Sequence, residues 1–169
     1  MKPLKVVLIG PMGAGKTTLG SILSNRLGWP YFDNDAELES LSGLSSSELS
    51  TLSVPELHKL EGEYLSTVLQ RNAPFISGAA VSVVGYQKSV ELLKESVSIY
   101  LRLPLEKLLE RAGTTGIGRQ ALIGNAESVI SARFSRRDPL YREIAVFTVE
   151  LGDDPDVDAE KIFAFLSSI

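Results

Sequence analysis

Residues 10 to 17 read Gly10-Pro11-Met12-Gly13-Ala14-Gly15-Lys16-Thr17, an unbroken match to the spacing G-x-x-x-x-G-K-[ST]. The glycines let the backbone turn tightly and aim successive N–H groups into one concavity, a nest that surrounds a polyphosphate. Ala14 and Thr18 belong to the same phosphate-facing stretch. Lys16 reaches the β- and γ-phosphates and the Thr17 hydroxyl is placed for Mg²⁺, so the segment is read as a nucleoside triphosphate site.

Chemistry on that phosphate also calls for a carboxylate near the metal. The third strand-like run, Pro74-Phe75-Ile76-Ser77-Gly78, continues into Ala79-Ala80 without one. The candidates are Asp33 and Asp35 in Asp33-Asn34-Asp35, directly after the second strand, because the carboxyl ends of parallel strands form the ligand crevice. Read as extended chain, residues two apart point the same way. One carboxylate then acts on Mg²⁺ or its waters, and the other orients and deprotonates an acceptor hydroxyl. The alternative for Asp35 is a helix N-cap for the turn Ala36-Glu37-Leu38-Glu39.

The elements that must position these groups alternate along the chain. Leu4-Lys5-Val6-Val7-Leu8-Ile9 is an apolar, β-branched run suited to a strand buried on both faces. After the loop, Leu19, Ile22, Leu23 and Leu27 recur at helical spacing and Gly28 offers a stop. Pro30-Tyr31-Phe32-Asp33, Pro74 to Gly78, Val97 to Leu101 and Ala145 to Val149 read as further strands. Ser45 with Glu48, and Ser53 with Glu56, have capping-box spacing. Helices are expected at about 86–95, 104–112, 126–137 and 157–167. The pattern implies an α/β fold, a five-stranded parallel sheet flanked by helices on both faces. The stretch Gly113 to Gly124, with four glycines and Arg119, is read as a mobile lid over the nucleotide.

The 169 residues suit a single domain. No cysteine is present, which removes disulfides, thiolate zinc sites and cysteine nucleophiles. A net charge of −4 argues against a nucleic-acid partner. Seven of nine arginines nevertheless fall between residues 102 and 142, enough to focus positive potential on a small polyanion, with two or three left for a solvated helix face. The apolar runs fall short of a membrane span. Met1-Lys2-Pro3 leads straight into the first strand, so a cytoplasmic protein without a leader, acting as a monomer, is the expectation.

These motifs together resemble the shikimate kinase family over almost the full chain. The family has the loop Gly-x-Met-Gly-Ala-Gly-Lys-[Ser/Thr] on its first strand, Asp-x-Asp after its second, a helical acceptor-binding region, a glycine-rich lid with an arginine, and Arg-x-Pro-Leu-Tyr. The last is Arg137-Asp138-Pro139-Leu140-Tyr141 here. The resemblance implies a phosphate-loop kinase using ATP and Mg²⁺, with residues about 34–72 binding the acceptor and about 112–125 forming the lid. It assigns Asp35 as base, Asp33 and Thr17 to the magnesium shell, Lys16 and Arg119 to the transferred phosphate, and Arg137 to the acceptor carboxylate. Arg111 and the loop at Pro155 would line the adenine.

Three departures fall on the acceptor side. Three family glycines after the third strand are Gly78-Ala79-Ala80 here, which is expected to bring two methyl groups into the acceptor's approach. The family's Phe-Arg-x-x-Glu is Leu57-His58-Lys59-Leu60-Glu61, and the lid's Arg-Pro-Leu-Leu is Arg119-Gln120-Ala121-Leu122. Replacing an arginine by His58 is worth on the order of 2 kcal/mol in acceptor binding. His58 is read as a surface or packing residue with an acceptor contact open to it, and Trp29 as core. Two other readings stand beside the shikimate kinase one. One is a kinase of a different small metabolite; the other is a nucleotide-binding protein without phosphotransfer.

Overall fold

The computed structural model describes residues 2–115 and 126–169. Its strands are β1 (Lys5–Ile9), β2 (Tyr31–Phe32), β3 (Phe75–Gly78), β4 (Val97–Arg102) and β5 (Phe147–Glu150). They form one sheet in the order β2-β3-β1-β4-β5, with every neighbouring pair parallel. The helices are α1 (Lys16–Leu27), α2 (Asn34–Ser42), α3 (Ser46–Leu49), α4 (Val54–Leu69), α5 (Gln87–Lys94), α6 (Leu105–Thr115), α7 (Ala126–Ile144) and α8 (Pro155–Ser167). A 3₁₀ turn, Val81–Gly85, follows β3.

Strand β1 shows why the sheet is covered on both sides. Val6 and Leu8 point into a cluster with Leu19 and Leu23 of α1 and Ile162 and Leu166 of α8. Val7 and Ile9 point into the opposite cluster with Leu65 and Val68 of α4 and Leu93 of α5. Alternate side chains of a strand face opposite sides, so four consecutive apolar residues require helices above and below. Trp29 joins the first cluster, as expected.

Because β1 lies between β3 and β4, the chain winds outward in both directions from it. The crevice opens at the carboxyl end of this switch point, where the phosphate-binding loop lies. Gly10 there has φ +150°, and a Cβ on it would sit 2.8 Å from the Leu101 carbonyl oxygen. Only glycine lets the loop leave β1 in that direction.

Several boundaries depart from the sequence expectation. Asp33, not Asp35, caps α2: its side chain accepts from the amides of Asp35 and Ala36. Asp35 therefore lies in the first helical turn, and the extended-chain argument for a shared direction does not hold. The two capping boxes do form, with the Ser45 amide 2.8 Å from Glu48 Oε2 and the Ser53 amide 3.0 Å from Glu56 Oε2. Helix α6 continues through Thr115, and α7 runs past Pro139 to Ile144. A proline inside a helix removes one backbone hydrogen bond, and tertiary contacts on either side of it hold α7 together. The Tyr141 ring stacks on Tyr100 at 4.8 Å, and Asp138 accepts from Tyr100 and from Arg102 Nε, each at 2.8 Å. Residues 116–125 of the expected lid, with Arg119, lie outside the described residues. No helix among the described residues is long and apolar enough to cross a membrane.

Leu8 is fully buried in the central strand, so Leu8→Ala is expected to destabilise the fold by about 2–5 kcal/mol. Urea unfolding should show a lower midpoint with an unchanged slope.

Candidate active site

The loop between β1 and α1 is held from several directions. Lys16 Nζ donates to the carbonyls of Gly10 at 2.9 Å and Pro11 at 3.0 Å. Burial lowers this ammonium to about 8, opposed by the charges of Asp35 and then Asp33. Arg111 reaches across from α6 and donates through Nη1 to the Gly13 carbonyl at 2.6 Å. Lys107, one turn earlier, pairs with Asp153 at 2.5 Å. That pair ties the segment leading to Pro155, the first residue of α8, to the helix that carries Arg111. Of the residues expected around the nucleotide, Gly10, Gly13, Lys16 and Arg111 are thus brought together, Thr18 is exposed on the first turn of α1, and Arg119 lies outside the described residues.

Thr17 and Asp33 meet directly. Thr17 Oγ1 donates to Asp33 Oδ2 at 2.7 Å, and the Tyr31 hydroxyl donates to the same oxygen at 3.2 Å. Asp33 Oδ1 accepts from the amides of Asp35 at 3.0 Å and Ala36 at 3.4 Å. Hard oxygens of this kind suit Mg²⁺, which keeps waters and substrate phosphates and takes few protein ligands. Among the described residues no group of three or more His, Asp or Glu side chains is arranged to hold a metal.

The region expected to meet the acceptor centres on Glu61 of α4, whose motif carries no assigned role in the sequence. Ser82, in the 3₁₀ turn, donates its hydroxyl to Glu61 Oε2. Burial pushes the Glu61 carboxyl above its ordinary range; His58 and Arg137 pull it down and Asp35 pushes it up. Four groups from α2, α4, the 3₁₀ turn and α7 therefore share one field with Glu61. Asp35, in the first turn of α2, contributes negative charge to the surroundings of both Lys16 and Glu61. Asn34 Nδ2 donates to Asp35 Oδ1 at 3.2 Å.

His58 is neither an isolated surface side chain nor core. Its Nδ1 lies 2.6 Å from the Tyr86 hydroxyl, with the two rings edge to face at 5.6 Å. Arg137 is half-buried, and burial lowers its guanidinium below the ordinary value. Next to it, Asp138 anchors α7 to β4 and also accepts from Arg142 Nε at 2.9 Å. Arg133 and Arg136 are exposed, so part of the arginine-rich segment is a solvated face. Ala79 and Ala80 are 1% and 8% exposed, and both belong to the core cluster with Val83 and Tyr64. Neither alanine adopts a positive φ, and no residue other than glycine does among the described residues. Their methyl groups are accommodated by packing.

The buried charge of Glu61 gives a signed prediction. A carboxyl whose folded value is raised favours the protonated form, so its stabilising contribution is present at low pH and lost as pH rises through that raised value. Glu61→Gln keeps an oxygen for Ser82 and removes the charge. Melting temperatures from pH 4 to 8 should show the variant gaining on the unaltered protein as pH rises; a constant offset would refute the burial effect.

The same chain has relatives of known kind. The family model for shikimate kinase matches residues 12–167. The shikimate kinase of Nitrosococcus oceani is 28% identical over 164 residues, covering 92% of this chain and 82% of that one. The shikimate kinase of Thermobifida fusca is 30% identical over 164 residues, covering 96% and 94%. Among solved structures, a shikimate kinase from Acinetobacter baumannii in complex with shikimate superposes with a TM-score of 0.86 at 29% identity, covering 99% of this chain and 94% of that one. A loop that cradles phosphate, an Asp33–Thr17 pair beside it and a match running the length of the fold lead to one assignment: the chain belongs to the shikimate kinase family.

Proposed function

We propose that this protein transfers the γ-phosphoryl group of ATP to the 3-hydroxyl of shikimate, a step of aromatic amino acid biosynthesis. The observation that carries the reading is the 2.7 Å hydrogen bond from Thr17, in the loop that marks a nucleotide kinase, to Asp33, which sets the Asp33–Asp35 pair beside that loop in a chain of the shikimate kinase family. Asp35 is the base in this reading. With the reading go Mg²⁺ as the metal and a cytoplasmic monomer built as one kinase domain. In that domain, about 34–72 is the acceptor region and about 112–125 the lid.

In the proposed reaction the acceptor oxygen attacks Pγ, the bond from Pγ to the bridging oxygen breaks, and ADP leaves with that oxygen. Asp35 receives the hydroxyl proton. Lys16 leaves the Gly10 and Pro11 carbonyls for the phosphates and offsets the charge of the transferred group. Thr17, oriented by Asp33, would hold Mg²⁺, which would supply charge neutralisation at the phosphates. The planar guanidinium of Arg137 pairs with the acceptor carboxylate. Arg119, outside the described residues, is assigned to the transferred phosphate. Gly10, Gly13, Ala14, Gly15, Thr18, Arg111 and Pro155 serve the nucleotide, and His58, Gly78, Ala79 and Ala80 the acceptor.

A second reading, a kinase for another small hydroxylated acid, draws on His58. A histidine tied to Tyr86 offers a different contact from the arginine of the family motif.

A coupled assay with ATP, Mg²⁺ and shikimate tests the proposal. Asp35→Asn is expected to lower kcat by about 10²–10⁴-fold with nucleotide affinity nearly intact, and a parallel loss of ATP binding would contradict the role of base. Turnover at background with shikimate, against turnover with another polyol acid, would favour the second reading.

A further inference from the structure

Tyr31 is the residue around which two other elements have given up their side chains. A Cβ placed on Gly20 of α1 would lie 2.2 Å from Tyr31 Cε2, closer than real atoms approach. A Cβ on Gly78, at the end of β3, would lie 2.8 Å from the Tyr31 hydroxyl oxygen. Both distances are to a stiff ring that cannot shift without leaving its slot. The slot runs between the phosphate-loop helix and the strand beside it, and it delivers the phenol to Asp33 Oδ2 at 3.2 Å.

That contact changes what Asp33 can do. An ionised carboxylate offers about four lone-pair sites. In this chain all four have donors: Thr17 and Tyr31 on Oδ2, and the amides of Asp35 and Ala36 on Oδ1. Asp33 is then a fixed acceptor for the hydrogen bond that the Thr17 hydroxyl donates, so the lone pairs of Thr17 are not used by Asp33.

We propose that Tyr31 is a positioning residue for the magnesium–nucleotide site, holding Asp33 so that Thr17 presents its oxygen to the metal. The inference rests on the reading of Thr17 as a metal contact, and it is independent of which acceptor is used. Tyr31 touches neither metal nor phosphate in this scheme; it acts through Asp33. It also links strand β2 to the loop on β1, since its ring packs on α1 while its own strand feeds the cap of α2.

The test is calorimetric titration of ADP with Mg²⁺ and, separately, with EDTA, on the unaltered protein and on Tyr31→Phe, which keeps the ring in its slot. The expected result is a fall of about fivefold to tenfold in the ratio of the two affinities for the variant, with metal-free affinity within about twofold. A general loss of structure would lower both affinities together, so equal losses overturn the inference. An unchanged ratio overturns it as well. If Mg²⁺ leaves ADP affinity unaltered in the unaltered protein, the metal reading of Thr17 fails and Tyr31 falls with it. Gly20→Ala, which displaces the ring sterically, should reproduce the reduced ratio, and the double variant should be no worse than either single one.

Discussion

The hydrogen bond from Thr17 to Asp33, 2.7 Å long, joins the two halves of this molecule. Thr17 stands in the first turn of α1, where backbone amides face the nucleotide. Asp33 ends β2 and caps α2, which opens the acceptor region. One carboxylate therefore fixes the entry angle of α2 and the rotamer of the residue expected to meet the metal. The cap satisfies amides that would otherwise lack partners, so the position of Asp35 two residues later is inherited from the same bond. Moving Asp33 would disturb the phosphate-binding loop and the proposed base together.

The acceptor side is organised by burial and charge. Glu61 is a carboxyl partly drawn out of water, held by Ser82 and faced by the guanidinium of Arg137 on α7. Such a group costs stability when ionised unless its partners are close. Arg137 owes its position to its neighbour. Asp138 collects hydrogen bonds from Tyr100, Arg102 and Arg142, and Arg102 also pairs with Glu150 at 2.6 Å. The network fastens α7 across two strands and carries the helix over Pro139. An arginine proposed to bind the acceptor would lose, on an unanchored helix, the orientation that a planar fork requires.

Much of this was readable before any coordinates. The glycine spacing of the phosphate loop dictates its backbone, and a run of β-branched residues before it dictates a buried strand. Ser45 with Glu48 and Ser53 with Glu56 are local exchanges of hydrogen bonds within one turn, so spacing alone finds them. Asp33 and Asp35 show the limit. Both are capping residue types two positions apart, and the choice between them depends on where β2 lets go of β3, a long-range pairing of only two residues. Helix α7 shows the same limit from the other side, because Pro139 is a local stop signal overruled by Tyr141 and Asp138 packing on β4.

What the sequence determined by itself is the chemistry on offer: a polyphosphate nest, a lysine, a hydroxyl, paired carboxylates and a cluster of arginines, each set by residue type at short spacing. The tertiary structure decided which of these share a field. Glu61, Ser82, Tyr86 and Tyr31 carry no distinguishing local signal, since a tyrosine on a short strand or a serine after a strand is ordinary anywhere. They become part of the site only when β3 is laid between β1 and β2 and α7 is folded back on β4. Electrostatic coupling and steric complementarity depend on distance in space, and no short stretch of sequence encodes that.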